Sequence, residues 1–467
     1  MRIVIIGAGP AGYEAALVAA QYGAEVTLVE TDGAGGNCVL YDCVPSKTFI
    51  ASAGGRTAVR EADQLGIQVS INEVDVDIAR VHARVSALAM AQSNDIRSGL
   101  LAAGVTMLSG HARFVDESTG LALHNVEVTA LDGSIINLQA EAVLIATGAS
   151  PRVLPTAIPD GERILTWRQV YSLSELPEHL IIVGSGVTGA EFASAYTELG
   201  VRVTLVSSRD RVLPHEDADA AAVIEEVFDN RGVTLVKHAR ADLVEREGDQ
   251  VRVTLADGRK IVGSHCLMTV GSVPNTVDLG LEKVGIVTGP GGFIPVDRVS
   301  RTSVAGIYAA GDCTGVLMLA SVAAMQGRIA MWHFLGDGVP PLRLKTVSAN
   351  VFTHPEIATV GISQAEADAG LVPCRVLMLP LATNPRAKML GLRYGFVKIF
   401  VRPATGIVVG GVVVGPEASE LILPMALAVQ NRLTAKNLAY TFSVYPSLTG
   451  SITELGRQLM HFDGDLG

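Results

Sequence analysis

The chain opens on a short apolar run, Ile3 to Ile6, that breaks into Gly7-Ala8-Gly9-Pro10-Ala11-Gly12. An alanine-rich stretch follows, then Gly23 and a second, β-rich run that ends at Glu30. This pattern predicts a strand, a glycine turn, a helix and a second strand. The pattern returns far downstream. An apolar run leads into Gly184-Ser185-Gly186-Val187-Thr188-Gly189, a helical stretch and Gly200, and the next strand ends at Ser207. The offset that lays Gly7 on Gly184 also lays Gly9, Gly12 and Gly23 on Gly186, Gly189 and Gly200. The chain therefore repeats one α/β unit.

Each copy has the spacing of a dinucleotide-binding turn. The first glycine permits the tight turn, the second lets a pyrophosphate approach the backbone, and the third lets helix pack on strand. The helix N-terminus then faces the phosphates. The expected fold class is α/β with two Rossmann-like nucleotide-binding domains. The copies differ at the end of their second strand. Glu30 can accept from a ribose 2′-hydroxyl. Ser207, Ser208 and Arg209 stand in its place in the second copy. Without the acid a 2′-phosphate is not repelled, and Arg209 can pair with it, so the second site is expected to take NADPH as well as NADH.

Bulk composition narrows the function classes. At 467 residues the chain is long enough for about three domains. Apolar residues make up 49%, so a large core can form, and the net charge of −11 disfavours nucleic acid as a partner. No segment approaches the ~18 uninterrupted apolar residues of a membrane span. The most apolar stretch, Gly406 to Gly415, is short and broken by glycine. The N-terminal run is too short for a signal-peptide core, which points to the cytoplasm. Five cysteines are too few for a disulfide scaffold in a chain this long. No metal-ligand spacing is present, and Cys266, Cys313 and Cys374 read as structural.

Cys38 and Cys43 are different. They sit in Gly35-Gly36-Asn37-Cys38-Val39-Leu40-Tyr41-Asp42-Cys43-Val44-Pro45-Ser46-Lys47, just past the first nucleotide unit. On a regular helix their Cα atoms would lie about 8 Å apart, beyond the ~7 Å that a disulfide tolerates. A bridge thus requires a distorted segment, and Pro45 is expected to supply the distortion by pushing Val44 out of helical geometry. Lys47 lies one helical turn beyond Cys43, where its charge favours a thiolate.

These motifs together resemble the pyridine nucleotide–disulfide oxidoreductase family, of lipoamide dehydrogenase type, over essentially the whole chain. The carriers are the two glycine turns, the cysteine segment, Ala146-Thr147-Gly148, and Tyr308-Ala309-Ala310-Gly311-Asp312. Phe352-Thr353-His354-Pro355-Glu356 and Gly415-Pro416 with Ala418-Ser419-Glu420 add to them. The resemblance implies an FAD domain over 1–150 and an NAD(P) domain over 151–275. A second FAD segment over 276–343 and a C-terminal α+β dimerisation domain over 344–467 follow. It implies FAD contacts at Gly7, Gly9, Pro10, Ala11, Gly12, Glu30, Gly36 and Lys47. Further FAD contacts would come from Ala112, Ala146, Thr147, Gly148, Gly311, Asp312, Leu319 and Ala320, with Asp312 holding the ribityl chain. NAD(P) would meet Gly184, Gly186, Val187, Thr188, Gly189, Glu191, Ser207, Ser208, Arg209 and Gly271. Cys43 would face the flavin, Cys38 would meet substrate, and Lys47 would pair with Glu191.

The pattern departs from the family at its end. Disulfide reductases of the family carry His-Pro-Thr-x-x-Glu there, the His shuttling the proton of thiol exchange. This chain has Tyr445-Pro446-Ser447-Leu448-Thr449-Gly450. A phenol with pKa near 10 is a poor base at neutral pH. His354 and His461 do not replace the missing base, and a mercuric-ion reductase would need a C-terminal cysteine pair that is absent. The segment is similar to that of an actinobacterial NAD(P)H:quinone reductase subgroup lacking the dyad, in which reduced flavin passes electrons to a quinone. The expected protein is a homodimeric FAD enzyme of that kind, with Tyr445 near the reaction. The alternatives are a disulfide reductase using Cys38 and Cys43, and a flavin- and NAD(P)-binding sensor.

Overall fold

A computed structural model describes residues 1–70, 74–115 and 123–460. His461 lies outside the described residues. The chain forms two compact units. The first comprises Met1–Thr48, Ala79–Arg152 and Val270–Arg343; the second comprises Phe49–Ile78, Val153–Thr269 and Leu344–Gly467.

The first unit is built on a seven-stranded sheet. Strand β1 (Arg2–Ile6) is an inner strand, third of the seven, parallel to β2 (Glu25–Glu30) on one side and to Ala142–Ile145 on the other. Ile307–Ala309 extends that second side, again parallel. Beyond β2 comes Thr106–Phe114, parallel to β2, and then an antiparallel hairpin of His124–Ala130 and Ile135–Ala140. Ile3 and Ile5 feed one buried cluster while Val4 and Ile6 feed another. A central parallel strand is covered on both faces, which is why β1 reads as an uninterrupted apolar run and not as an alternation. Helix α1 (Pro10–Gln21) packs closely against the helix Ala320–Phe334. A Cβ on Gly327 would stand 2.1 Å from the Ala11 carbonyl oxygen, so only glycine permits this approach.

Two short elements follow β2. Helix α2 (Gly36–Leu40) carries Cys38, and helix α3 (Cys43–Glu61) begins at Cys43. Tyr41 and Asp42 separate them.

The second unit contains a five-stranded parallel sheet, in the order Thr234–Val236, Arg202–Val206, His179–Val183, His265–Met268 and Ile164–Thr166. Here β3 (His179–Val183), α4 (Val187–Glu198) and β4 (Arg202–Val206) reproduce the strand–helix–strand of the first unit. A three-stranded antiparallel sheet runs over residues 241–263. A separate five-stranded antiparallel sheet is ordered Ser348–Val351, Glu356–Gly361, Val408–Gly415, Phe396–Val401 and Arg375–Pro380. The glycine-broken apolar stretch is thus an inner strand. A Cβ on Gly411 would stand 2.2 Å from the Met425 sulfur, so that side chain packs directly on the strand backbone.

Two buried ionic groups fasten the second unit. Lys398 is 1% exposed. Its Nζ donates to both carboxylate oxygens of Asp217, at 2.9 and 2.8 Å, and to Asp219 at 2.5 Å. Asp217 also caps the helix Ala218–Asn230 by accepting from the amides of Asp219 and Ala220. Glu198, at the end of α4, accepts from Arg231 at 3.1 Å, from Thr57 at 2.9 Å and from Ser194 at 2.9 Å. Buried charges persist where partners of this kind satisfy them.

Candidate active site

In the first unit the glycine turn forms a cradle. Gly7 has φ +102°, and a Cβ on it would lie 2.3 Å from the Ala146 oxygen. A Cβ on Gly12 would lie 1.8 Å from the Gly7 oxygen. Gly9 differs: no atom lies within 4 Å of where its Cβ would be, and no side chain caps the helix it opens. The amides of the first turn of α1 therefore point into a hollow that a methyl group would fill. Pro10 and Ala11 continue that turn. Glu30 fixes the geometry, with one oxygen accepting from the Ala8 amide at 2.6 Å and the other from Thr31 and Asp32 at 2.8 and 2.9 Å.

Further anchors close around this cradle. Gly35 donates its amide to the Ala8 oxygen at 2.8 Å, and a Cβ on Gly36 would meet the Gly9 Cα at 3.0 Å. Helix α2 is thereby seated on the glycine turn. Thr147 donates to the Asn275 oxygen at 2.7 Å, while the Asn275 side chain returns a bond to the Thr147 oxygen at 2.9 Å. Asn37 donates to the Ala149 oxygen at 2.6 Å. Sequence reading missed Asn37 and Asn275, since an isolated amide carries no signal until its carbonyl partner is known. Ala112 lies buried in the strand Thr106–Phe114, and Leu319 precedes the helix that starts at Ala320.

Asp312 supplies a second test of cofactor fit. Gly311 before it has φ +80° and donates its amide to Gln326 at 2.9 Å. Burial, reinforced by the charge of Asp42, pushes the Asp312 carboxyl up to about 6. Among the described residues no protein donor satisfies it. A largely buried carboxylate without a donor is an acceptor suited to ligand hydroxyls, as a ribityl chain offers. The hollow over Gly9 and the acceptor at Asp312 both fit FAD.

The two thiols are free and partly buried. Cys38 and Cys43 lie within hydrogen-bonding reach of each other. The distortion that permits this lies at Tyr41, with φ −133° and ψ −17°, where α2 ends. Val44 was expected to be displaced by Pro45, but it lies inside α3. Pro45 sits in the first turn of that helix, where a missing N–H costs nothing. The expected effect of Lys47 holds only in sign. Its charge lowers the Cys43 pKa, but hydrogen bonding by Cys38, burial and the neighbouring charges raise it well above the ordinary thiol value. Cys43 is therefore a thiol, not a thiolate, in this dithiol state. Cys313 is fully buried, its burial pushing the thiol up to about 11. Cys266 is fully buried as well, and burial raises its thiol too. No group of three or more metal-binding side chains occurs among the described residues.

The second unit repeats the cradle. Gly184 has φ +113° and a Cβ there would lie 2.3 Å from the Thr269 oxygen. A Cβ on Gly189 would lie 1.9 Å from the Gly184 oxygen. Gly186 again faces open space, with Val187 and Thr188 forming the first turn behind it. Ser207 was expected to face a nucleotide, but it is 1% exposed. Its hydroxyl bonds Ser185 at 2.7 Å and accepts the Arg209 amide at 3.1 Å. Ser208, Arg209 and Asp210 are the exposed residues at that strand end. Gly271 belongs to the first unit, its oxygen accepting from the Arg152 amide. Glu191 is buried and accepts the Phe352 amide at 2.9 Å. Ser194 takes the His354 amide at 3.0 Å, which gives the 352–354 segment a packing role.

Tyr445 is 83% exposed in this unit. The residues after it are organised by hydroxyls and one amide. Ser447 and Thr449 share a bond of 2.9 Å, and Asn384 donates to the Ser447 oxygen at 3.0 Å and to Ser451 at 2.8 Å. Position 450 is glycine, and no carboxylate takes part in these bonds.

The sequence profile described as "Pyridine nucleotide-disulphide oxidoreductase" matches residues 1–327, and that family's dimerisation domain matches residues 347–455. A Mycobacterium tuberculosis protein named "NAD(P)H dehydrogenase (quinone)" is 62% identical over 99% of this chain and 94% of its own length. A "Dihydrolipoyl dehydrogenase" of Chlamydia pneumoniae is 34% identical over 96% of this chain and 94% of its own. The crystal structure of LpdA from Mycobacterium tuberculosis superposes with a TM-score of 0.95 at 62% identity, over 98% of this chain and all of that one. The HOCl-induced flavoprotein disulfide reductase RclA from Escherichia coli gives 0.86 at 26% identity, over 98% and 99%. With both glycine cradles, the dithiol and these full-length matches in agreement, the chain belongs to the pyridine nucleotide–disulphide oxidoreductase family and is an FAD-dependent oxidoreductase that draws on NAD(P)H.

Proposed function

We propose that this chain is an NAD(P)H:quinone oxidoreductase that works as a homodimer in the cytoplasm. The carrying observation is the 445–450 segment, where an exposed Tyr445 and Gly450 stand in place of an acid–base pair. Without a base of suitable pKa, thiol exchange loses roughly 10²–10⁴-fold in rate. A quinone needs no such relay. The name of the 62%-identical relative supports this reading.

Bound FAD supplies the redox chemistry, accepting a hydride equivalent from NAD(P)H and delivering two electrons to the acceptor. The chain does the rest. The first-turn amides of α1 hold phosphate over Gly9, and Asp312 accepts from a cofactor hydroxyl. The amides of α4 hold the nicotinamide nucleotide over Gly186. Arg209 is exposed with Ser208, and Ser207 replaces the strand-end acid, so a 2′-phosphate can pair with the guanidinium and NADPH is favoured although Asp210 follows. Lys47 and Cys43 stand beside the cofactor, and Glu191 holds the Phe352 segment. Dimerisation is supported by Tyr440, Phe442, Val444 and Tyr445, whose exposure in the dimerisation domain runs from 68% to 102%. Large apolar side chains left this exposed close together in sequence call for a cover, and a second copy is the partner such a domain takes. No helix among the described residues is long and apolar enough to cross a membrane.

One observation favours a second reading. The contact between Cys38 and Cys43 is what a disulfide reductase requires. An acceptor screen with quinones and small disulfides, using both nicotinamide donors, separates the two. Rapid disulfide turnover that is abolished by Cys38→Ser or by Cys43→Ser would overturn the quinone assignment.

A further inference from the structure

Between Asp368 and Glu417 the chain has no aspartate or glutamate, yet it carries Arg375, Arg386, Lys388, Arg393, Lys398 and Arg402. In a protein of net charge −11 this run reverses the local sign. Lys398 is taken up inside the fold by Asp217 and Asp219. Arg386, Lys388 and Arg393 gather in the connection between the strands Arg375–Pro380 and Phe396–Val401. That connection is firmly held. Asn384 caps the short helix Pro385–Met389 by accepting the amides of Arg386 and Ala387. At the other end the Tyr394 hydroxyl accepts from Asn230 at 2.9 Å. Ala387 is fully buried, and Leu392 packs on the same core. These two inward anchors turn their neighbours outward, so that Arg386, Lys388, Met389, Leu390 and Arg393 are all exposed. Met389 is 58% exposed and Leu390 42%. Arg386, Lys388 and Arg393 make no ion pair among the described residues. Two apolar side chains are thus held out in water among three uncompensated cations.

We propose that this turn docks the protein reversibly on an anionic lipid surface, its three cations meeting headgroup phosphates while Met389 and Leu390 enter the apolar boundary below. Both halves of the turn select lipid. A nucleic acid would satisfy the cations and leave Met389 and Leu390 in water, whereas a bilayer offers negative charge and an apolar layer together. The choice of lipid also rests on the quinone reading, because apolar quinones dissolve in the bilayer and a reductase has to reach them there. Asn384 bonds both this turn and the 447–451 segment, so the docking surface lies in the same part of the unit as the missing acid–base pair. The charge of the whole protein opposes approach to an anionic membrane, but beyond about 8 Å that repulsion is screened at physiological salt. Each basic side chain near such a surface strengthens binding by about fivefold. Three of them with two apolar side chains give an attachment that forms and breaks, not a permanent anchor.

The test is sedimentation of the FAD-loaded protein with vesicles of phosphatidylglycerol and phosphatidylcholine in equal parts. The wild type is expected to sediment with them at low salt, to be released by about 0.5 M NaCl, and to ignore vesicles of phosphatidylcholine alone. Arg386→Gln, Lys388→Gln and Arg393→Gln should each weaken the partition about fivefold, and the three together about a hundredfold. Met389→Ser combined with Leu390→Ser should weaken it about tenfold. Thermal unfolding and turnover of water-soluble duroquinone should stay at wild-type values in all of these variants. Turnover of a long-tailed quinone dissolved in the vesicles should fall in step with binding. A wild type that stays in the supernatant at low salt overturns the docking surface and leaves the quinone reading intact. Vesicle binding that the Met389 and Leu390 changes do not weaken, and that heparin displaces, marks a purely ionic site and overturns the lipid assignment. A triple cation variant that changes its oligomeric state on gel filtration places the turn between copies of the chain and overturns it as well. Vesicle binding with the expected losses, but no turnover of any quinone, upholds the docking surface and overturns the quinone reading.

Discussion

Replacing Gly186 by alanine separates the binding role of the second glycine turn from its structural role. Gly186 has φ −72° and ψ −171°, a conformation open to any L-residue. No protein atom lies within 4 Å of the added methyl. The substitution should therefore leave folding intact and shift stability by less than about 1 kcal/mol, slightly upward if anything. The methyl does, however, occupy the space in front of the first-turn amides of α4. A pyrophosphate displaced from there loses one or more hydrogen bonds to a charged group, each worth about 1.5–3 kcal/mol. The expected result is roughly 10- to 150-fold weaker binding of NAD(P)H. The assay is anaerobic reduction of the flavin by stopped flow, with FAD content and thermal unfolding measured alongside. Gly184→Ala is the contrast: its φ of +113° and the 2.3 Å approach to the Thr269 oxygen predict a misfolded unit. If Gly186→Ala reduces its flavin with wild-type NADPH dependence, the phosphates do not lie over this helix end.

Other outcomes follow from the same geometry. Gly9→Ala, equally free of protein contacts, is expected to yield a folded protein that loses FAD on gel filtration. Lys398→Met leaves Asp217 buried without its counter-ion and should destabilise by about 3–5 kcal/mol, read as a fall in the unfolding midpoint; an unchanged midpoint would mean that the helix cap alone satisfies Asp217. Asp312 has its carboxyl raised to about 6, so its favourable contribution is complete below about pH 4 and disappears as pH rises through 6. The FAD-free protein should accordingly lose stability over that window, and Asp312→Asn should flatten the profile. Cys43→Ser is expected to retain quinone turnover and to abolish any disulfide reduction, and near-complete loss of quinone turnover with FAD still bound would refute that.

Glycine spacing made both nucleotide cradles legible because the first and third glycines of each are dictated by backbone clashes, while the second leaves open space in front of the helix. Gly12 against Gly7 and Gly189 against Gly184 are the same collision seen twice. The break between the cysteines was foreseen but misplaced. Pro45 is easily absorbed in a first helical turn, so the chain bends at Tyr41 instead. Ser207 misled because a strand-end residue can turn its hydroxyl inward as readily as outward, and here Ser185 captures it. Tyr13 and Glu14 were visible as two polar residues in an otherwise small, apolar helix start, Pro10-Ala11-Gly12-Tyr13-Glu14-Ala15-Ala16. Glu14 pairs with Arg328, more than 300 positions away in sequence. No local pattern links residues that distant.

The bond between Lys398 and Asp217 bears on how this protein can be cut. Asp217 belongs to the nucleotide-binding portion, while Lys398 comes from the antiparallel sheet inside the span matched by the dimerisation profile. A truncated gene product ending near residue 343 would carry a carboxylate stripped of its cation, and the complementary fragment a stranded ammonium. Modules that recombine freely are expected to meet through neutral, dispensable surfaces. This one is soldered by charge, so separating its two sequence-defined parts is expected to destabilise both.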